Sequence, residues 1–168
     1  RIGKEILIRH ADHYRRLRNT LRYLLGALND FNKSEIVDYS EMPEIEKWVL
    51  NKVYKLSNKI LDYTENYKLG EIYRDVYDFC NDDLSSFYFD IRKDALYCSS
   101  FNSIERKSCR TVLDILFNSI CRWLAPILCF TSEEAWKTKN VEENASVHLQ
   151  EYLKPSNVWN DDSLSEKW

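Results

Sequence analysis

Glycine and proline are scarce in these 168 residues, with three of each. Barrels and sandwiches need many turn residues, and phosphate-cradling enzymes need glycine loops. The scarcity of both points to long helices. No apolar run approaches the roughly 20 residues that cross a bilayer, so no membrane span is expected. The five cysteines (80, 98, 109, 121 and 129) contain no CxxC pair, which argues against a zinc knuckle. An odd number at irregular spacing fits a reducing, cytoplasmic compartment. No Walker loop, dinucleotide fingerprint, GxSxG or HExxH occurs, and no catalytic residue is singled out. A signal peptide is also missing. The chain opens at Arg1 within a charged amphipathic pattern, as expected of a piece of a larger protein.

What is present is a helical alphabet: 44% hydrophobic, 30% charged and 14% aromatic residues, including eleven tyrosines. Tyr14, Leu17, Leu21, Leu24 and Leu28 step by three and four, the spacing of one helix face. This first helix is read from near Ile2 to about Leu28. A second opens at "SEMPE", with Pro43 in the first turn and Glu44 and Glu46 at the positive dipole end. Its face runs from Ile45 to Tyr67 and stops at Gly70. A third, from about Glu71 to Lys93, carries Ile72, Val76, Phe79/Cys80, Leu84, Phe87 and Ile91. A fourth runs from Ile104 to Pro126. In "FTSEEAW", Thr131 and Glu134 form a capping-box pattern for a short fifth helix, with Glu133 and Glu134 in its first turn. The expected fold is all-α: an antiparallel bundle of four long helices plus the short fifth over residues 1–140. Residues 141–168 read as an irregular tail, with "ASVHLQEY" a short extended segment and the remainder a linker.

The charge is unevenly placed. The net value is −3, which argues against indiscriminate coating of nucleic acid. Yet residues 1–31 hold seven Lys/Arg against three Asp/Glu, a local +4. On a helical wheel Arg15, Arg18 and Arg22 form their own line, roughly 120° from the leucine face. Arg16, Asn19 and Tyr23 make a second polar strip beyond it. A charge run of this kind is usually a solvated face. All-arginine lines without i,i+4 glutamates also suit phosphate forks and base stacking. At 100° per residue Asp83 falls inside the third apolar stripe, and should be paired there, for instance with an arginine of the first helix. His10 and His13 sit one turn apart without an evident third metal ligand, so a surface role is the simpler reading.

Five segments in order extend this picture. "YRRLRNTLRYLLGALNDF", "MPEIEKWVL", "DFCNDDLSSFYFDIRKDALYC", "LAPILCFTSEEAW" and "SVHLQEY" together resemble the isoleucyl-tRNA synthetase family, over about residues 3–152. The similarity is to the helical anticodon-binding domain. Sister class I synthetases share it, and "DLSSFYFDIRKDALY" follows the isoleucine style rather than the valine one. The family more often has Trp at position 152 and Arg at position 95, where this chain has Tyr152 and Ala95. The resemblance implies binding to the anticodon stem-loop of tRNA(Ile), with Arg15, Arg18, Asn19 and Arg22 facing RNA. Arg92, Lys93 and Tyr97, where the third helix runs into a loop, are further candidates. It also implies catalytic and editing domains upstream, where ATP and Mg²⁺ are used, since no HIGH or KMSKS signature is found here. A zinc module would follow Trp168. The parent is expected to be monomeric, and this segment to hold no metal or cofactor. A valine- or leucine-type domain, or a helical protein-interaction module without an RNA role, remain the alternatives.

Overall fold

A computed structural model describes residues 3–141 and 145–167. Side chains pack around one core built on α5 (Ile104–Leu124), which touches α1 (Lys4–Ala27), α2 (Glu44–Glu65), α3 (Leu69–Asp78), α4 (Phe89–Tyr97) and α6 (Cys129–Lys139). Val112, Leu113, Leu116, Phe117, Ile120, Cys121, Trp123 and Leu124 are all buried, more than one stripe of a surface helix holds. Two of its buried hydroxyls are met locally. Thr111 and Ser119 donate to the carbonyls of Lys107 and Ile115, one turn back.

α1 (Lys4–Ala27) buries Leu17, Leu21 and Leu24, with Leu28 at its exit, as the wheel expects. The expected start near Ile2 lies outside the described residues. Its first two turns run past the core, leaving Leu7 exposed. α2 (Glu44–Glu65) starts directly after Pro43. It ends earlier than the sequence predicts. Tyr67 turns the chain with φ at 54°, the Lys68 N–H donates to the Tyr63 carbonyl at 2.8 Å, and the Tyr67 N–H to Thr64 at 3.1 Å. This is a Schellman ending, with tyrosine where glycine is usual. Gly70 instead lies within α3 (Leu69–Asp78).

Residues 69–97 are continuously helical, but not uniformly α. Between α3 and α4 (Phe89–Tyr97) the stretch Phe79–Tyr88 is π-helical. The wider turn of i→i+5 bonding rotates every later side chain relative to an α count. The third stripe is therefore corrected at its end. Tyr88 and Phe89 are buried, Phe87 only half so, and Ile91 is exposed. The same rotation takes Asp83 to Lys52 of α2, 3.1 Å away, and not to an arginine of the first helix.

α6 (Cys129–Lys139) starts two residues before Thr131, so the expected capping box is absent. Thr131 instead shares a 3.0 Å hydrogen bond with the Tyr14 hydroxyl. Glu133 accepts from Ser146 Oγ and the Val147 N–H. These bonds tie the following segment down as a 3₁₀ turn, Val147–Leu149, where an extended stretch was expected. The remaining tail also returns to the body. Trp159 packs on the core, its carbonyl accepts from buried Asn51 at 3.0 Å, and α7 (Asp162–Lys167) lies on α2 with Leu164 buried.

Candidate nucleic-acid interface

Contacts along the helices fix their directions. Tyr14 meets Thr131 and Arg18 meets Glu134, so α1 and α6 run parallel. Arg16 meets Asn81, Tyr23 stacks on Phe89 and the two ends share a cavity, so α1 and the 69–97 helix also run parallel. α1 thus lies as a ridge between two grooves.

The sequence-predicted residues divide across that ridge. Arg18 and Arg22 border a cavity of about 190 Å³ against α6, together with Glu134 and Thr138. Arg18 is already engaged there. Its guanidinium donates two hydrogen bonds to the Glu134 carboxylate, at 2.9 and 3.2 Å. That contact raises the Arg18 pKa above its usual value and holds Glu134 below the usual carboxylate range. Arg22 is exposed and has no ion-pair partner among the described residues. Arg15 is exposed and pairs at 2.5 Å with Asp12 on the same helix.

On the other side Asn19 lines a groove of about 330 Å³ with Arg16, Tyr23 and Lys93. Arg16, on the second polar strip of the wheel, donates to Asn81 at 2.6 Å and brackets α1 to the π-helical stretch. Lys93 is exposed and pairs with Asp90, whose contact raises the ammonium pKa. Tyr97 is exposed one turn further on.

Arg92 is engaged inside the fold. Its Nε and Nη2 donate to Glu46 at 2.6 and 2.5 Å, and the Tyr88 hydroxyl adds a third bond at 3.2 Å. Glu46 has no exposed surface. Burial raises its carboxyl pKa, and Arg92 and Tyr88 pull it part of the way back. A guanidinium held on a buried carboxylate faces inward and joins α2 to α4. Ala95 is likewise buried.

A rival cation line exists on α2, where Lys52, Lys55 and Lys59 step by three and four. It is answered internally. These lysines share a groove with Asp75, Asp78, Asp82 and Asp83, and Lys55 also pairs with Asp162 at 2.9 Å. Among the described residues the α1 arginines form ion pairs with Asp12 and Glu134 alone. Two residues the sequence reading passed over lie at the far end of the ridge. Phe101 and Arg106 border a cavity with Tyr97 at the α1 exit. The available signal was an aromatic in a serine-rich loop, followed closely by an arginine.

His13 stacks with Tyr73 and Tyr77, the Tyr77 ring at 4.0 Å between centroids, and His10 lies tilted against Tyr73. Among the described residues no group of three His, Cys, Asp or Glu side chains could hold a metal ion, and no helix is long and apolar enough to cross a membrane.

Several known proteins are similar to this chain over its whole length. It is 45% identical over 168 residues to an isoleucine–tRNA ligase of Gluconobacter oxydans (strain 621H), covering all of this chain and 17% of that protein. It is 47% identical over 171 residues to an isoleucine–tRNA ligase of Pelagibacter ubique (strain HTCC1062), covering all of this chain and 19% of the relative. A Caulobacter vibrioides (strain ATCC 19089 / CIP 103742 / CB 15) isoleucine–tRNA ligase is 39% identical over 169 residues, again all of this chain and 17% of the relative. The chain thus spans less than a fifth of the length of these relatives. The family model described as "Anticodon-binding domain of tRNA ligase" matches residues 46–168, and α1 with its arginines reaches the family through the full-length similarity to the ligases. By that match over most of its length, the chain belongs to the anticodon-binding domain family of tRNA ligases.

Proposed function

We propose that this chain is the anticodon-binding domain of an isoleucine–tRNA ligase, and that it grips the anticodon stem-loop of tRNA(Ile) along the outer side of α1. The observation that carries the reading is the asymmetry of the two cation lines. The α2 lysines face a row of carboxylates. The α1 line leaves Arg22 without an acidic partner among the described residues and Arg15 exposed beside a single aspartate. The contact set is Arg15, Asn19, Arg22, Lys93 and Tyr97. Arg18 serves the set through α6, and Arg92 through the buried pair that holds α4 in place. The reported relatives are all isoleucine ligases, which favours isoleucine over the valine or leucine type. Family membership speaks against a protein-interaction module with no RNA role.

The domain performs no chemistry in this scheme. Aminoacylation, with ATP and Mg²⁺, belongs to catalytic and editing domains elsewhere in a cytoplasmic, monomeric ligase. A zinc module would also lie outside this segment. Binding energy gained at the anticodon positions the acceptor end, and positioning lowers the barrier to transfer without touching the reacting atoms. The two ends of the bundle suit that division. One end exposes Ile6, Leu7 and Phe130, fit to meet the rest of the ligase, and the other exposes Tyr97 and Phe101.

The test is the salt dependence of tRNA(Ile) binding by the intact ligase carrying Arg15→Gln and Arg22→Gln. Affinity should fall, and the slope of log affinity against log salt should flatten by roughly one for each phosphate no longer neutralised. Unchanged affinity and slope remove α1 from the RNA interface.

A further inference from the structure

Where α1 stops, two large aromatic rings stand in water. Tyr97 is 70% exposed and Phe101 75%. Both line one cavity of about 270 Å³, whose wall also holds Gly26, Asp30 and Arg106. The Arg106 guanidinium lies 4.2 Å from the Phe101 ring centroid and covers one ring face. The remaining exposure leaves the opposite face open. Arg106 Nε is buried without a hydrogen-bond partner, and Arg106 forms no ion pair among the described residues, so its contact is with the ring.

The surroundings are rigid. Arg110, almost fully buried, donates to the Asn29 carbonyl at 2.6 Å and to Glu35 at 2.7 Å, fixing the exit of α1 against α5. Asp30 follows with φ at 60°. Its carboxylate disfavours a phosphate inside the cavity and can accept from an amino group on a flat ligand. Phosphates have cations nearby on the outer surface, Arg22 one turn before Gly26 on α1 and Lys93 one turn before Tyr97 on α4. An exposed π-face backed by a cation, an acceptor at the rim and cations one turn away together describe a seat for an unpaired base on a phosphate-bearing strand.

We propose that Tyr97 and Phe101, with Arg106 behind Phe101, form a stacking platform for one splayed base of the anticodon loop. This rests on the anticodon-binding reading above and adds where a base, not a phosphate, is held. The test uses the intact ligase, tRNA(Ile) transcript, and transcripts with a single abasic nucleotide at each anticodon-loop position in turn. Phe101→Ala and Tyr97→Ala should each weaken binding roughly 5- to 150-fold, the range of one missing stack. The salt slope should not change, because neither ring neutralises a phosphate. Both rings are exposed, so the thermal midpoint should hold. On the transcript lacking the stacked base, the Phe101→Ala loss should disappear. A loss that persists on every abasic transcript overturns the platform. So does full affinity in both ring variants while the Arg15/Arg22 variant binds poorly, although RNA would still bind α1. If all these variants bind normally, the anticodon-binding reading fails and the platform with it.

Discussion

Removing Arg92 would strand a carboxylate that has no exposed surface. Arg92 and Tyr88 hold that carboxyl by three hydrogen bonds and offset part of what burial costs its charged form. An Arg92→Met variant should lose about 3–5 kcal/mol of stability near neutral pH, the usual result of breaking a buried pair from one side. The pH dependence has a definite sign. Without its partner the folded-state carboxyl pKa moves further above the unfolded value, in the direction burial already drives it. The penalty is then full above the folded pKa and fades as pH falls to the unfolded value of about 4.3. Urea unfolding of variant and wild type, compared near neutral pH and near pH 4, should show the gap closing. A constant gap would mean that Glu46 is not the charge at stake. The sequence concealed this pair for a simple reason. Glu46 sits where a first-turn glutamate compensates the helix dipole, Arg92 where a cation does so at the other end, and 46 positions of chain separate the two. Arg16 and Arg18 were legible as surface cations, but their partners Asn81 and Glu134 belong to helices whose neighbours only the fold decides.

At the scale of the element, the apolar periodicity was enough to place α1, α2 and α5, because leucines and valines at three-four spacing have one way to be buried. It failed where the backbone left the α-helix. Ten residues of π-helix in Phe79–Tyr88 leave no mark in a hydrophobic pattern, yet they bring Tyr88 onto Glu46 and Asp83 onto Lys52. The end of α2 was misplaced for a related reason, since a tyrosine occupies the left-handed position and glycine comes three residues later. That position carries strain that glycine would not feel. Tyr67→Gly should therefore raise stability by about 1 kcal/mol. The ring is exposed and has no packing to lose. The urea midpoint should rise with an unchanged m-value. A fall would show that the Tyr67 ring contributes more than its backbone costs.

At the scale of the whole molecule, the thiols report the fold. Cys80, Cys109 and Cys121 are buried, and Cys98 and Cys129 exposed. Burial pushes the Cys109 and Cys121 thiols up to about 12 and that of Cys80 higher still. In this domain, modification at mildly alkaline pH should be fast at Cys98 and Cys129. The other three should stay protected until denaturant is added. Early modification of Cys121 would contradict the central place of α5. Charge also acts at this scale. On the proposed reading an acidic chain binds RNA through one face, because four carboxylates answer the α2 lysines while residues 1–31 carry a local +4. That side, from Arg15 to Phe101, is the claim on which the proposed function stands. The most direct measurement is photocrosslinking of tRNA(Ile), carrying 4-thiouridine in its anticodon loop, to the intact ligase, with the attached peptides identified by mass spectrometry. Adducts are expected within residues 15–26 and 93–106. Adducts confined to the lysine groove of α2 or to α7 would contradict that claim.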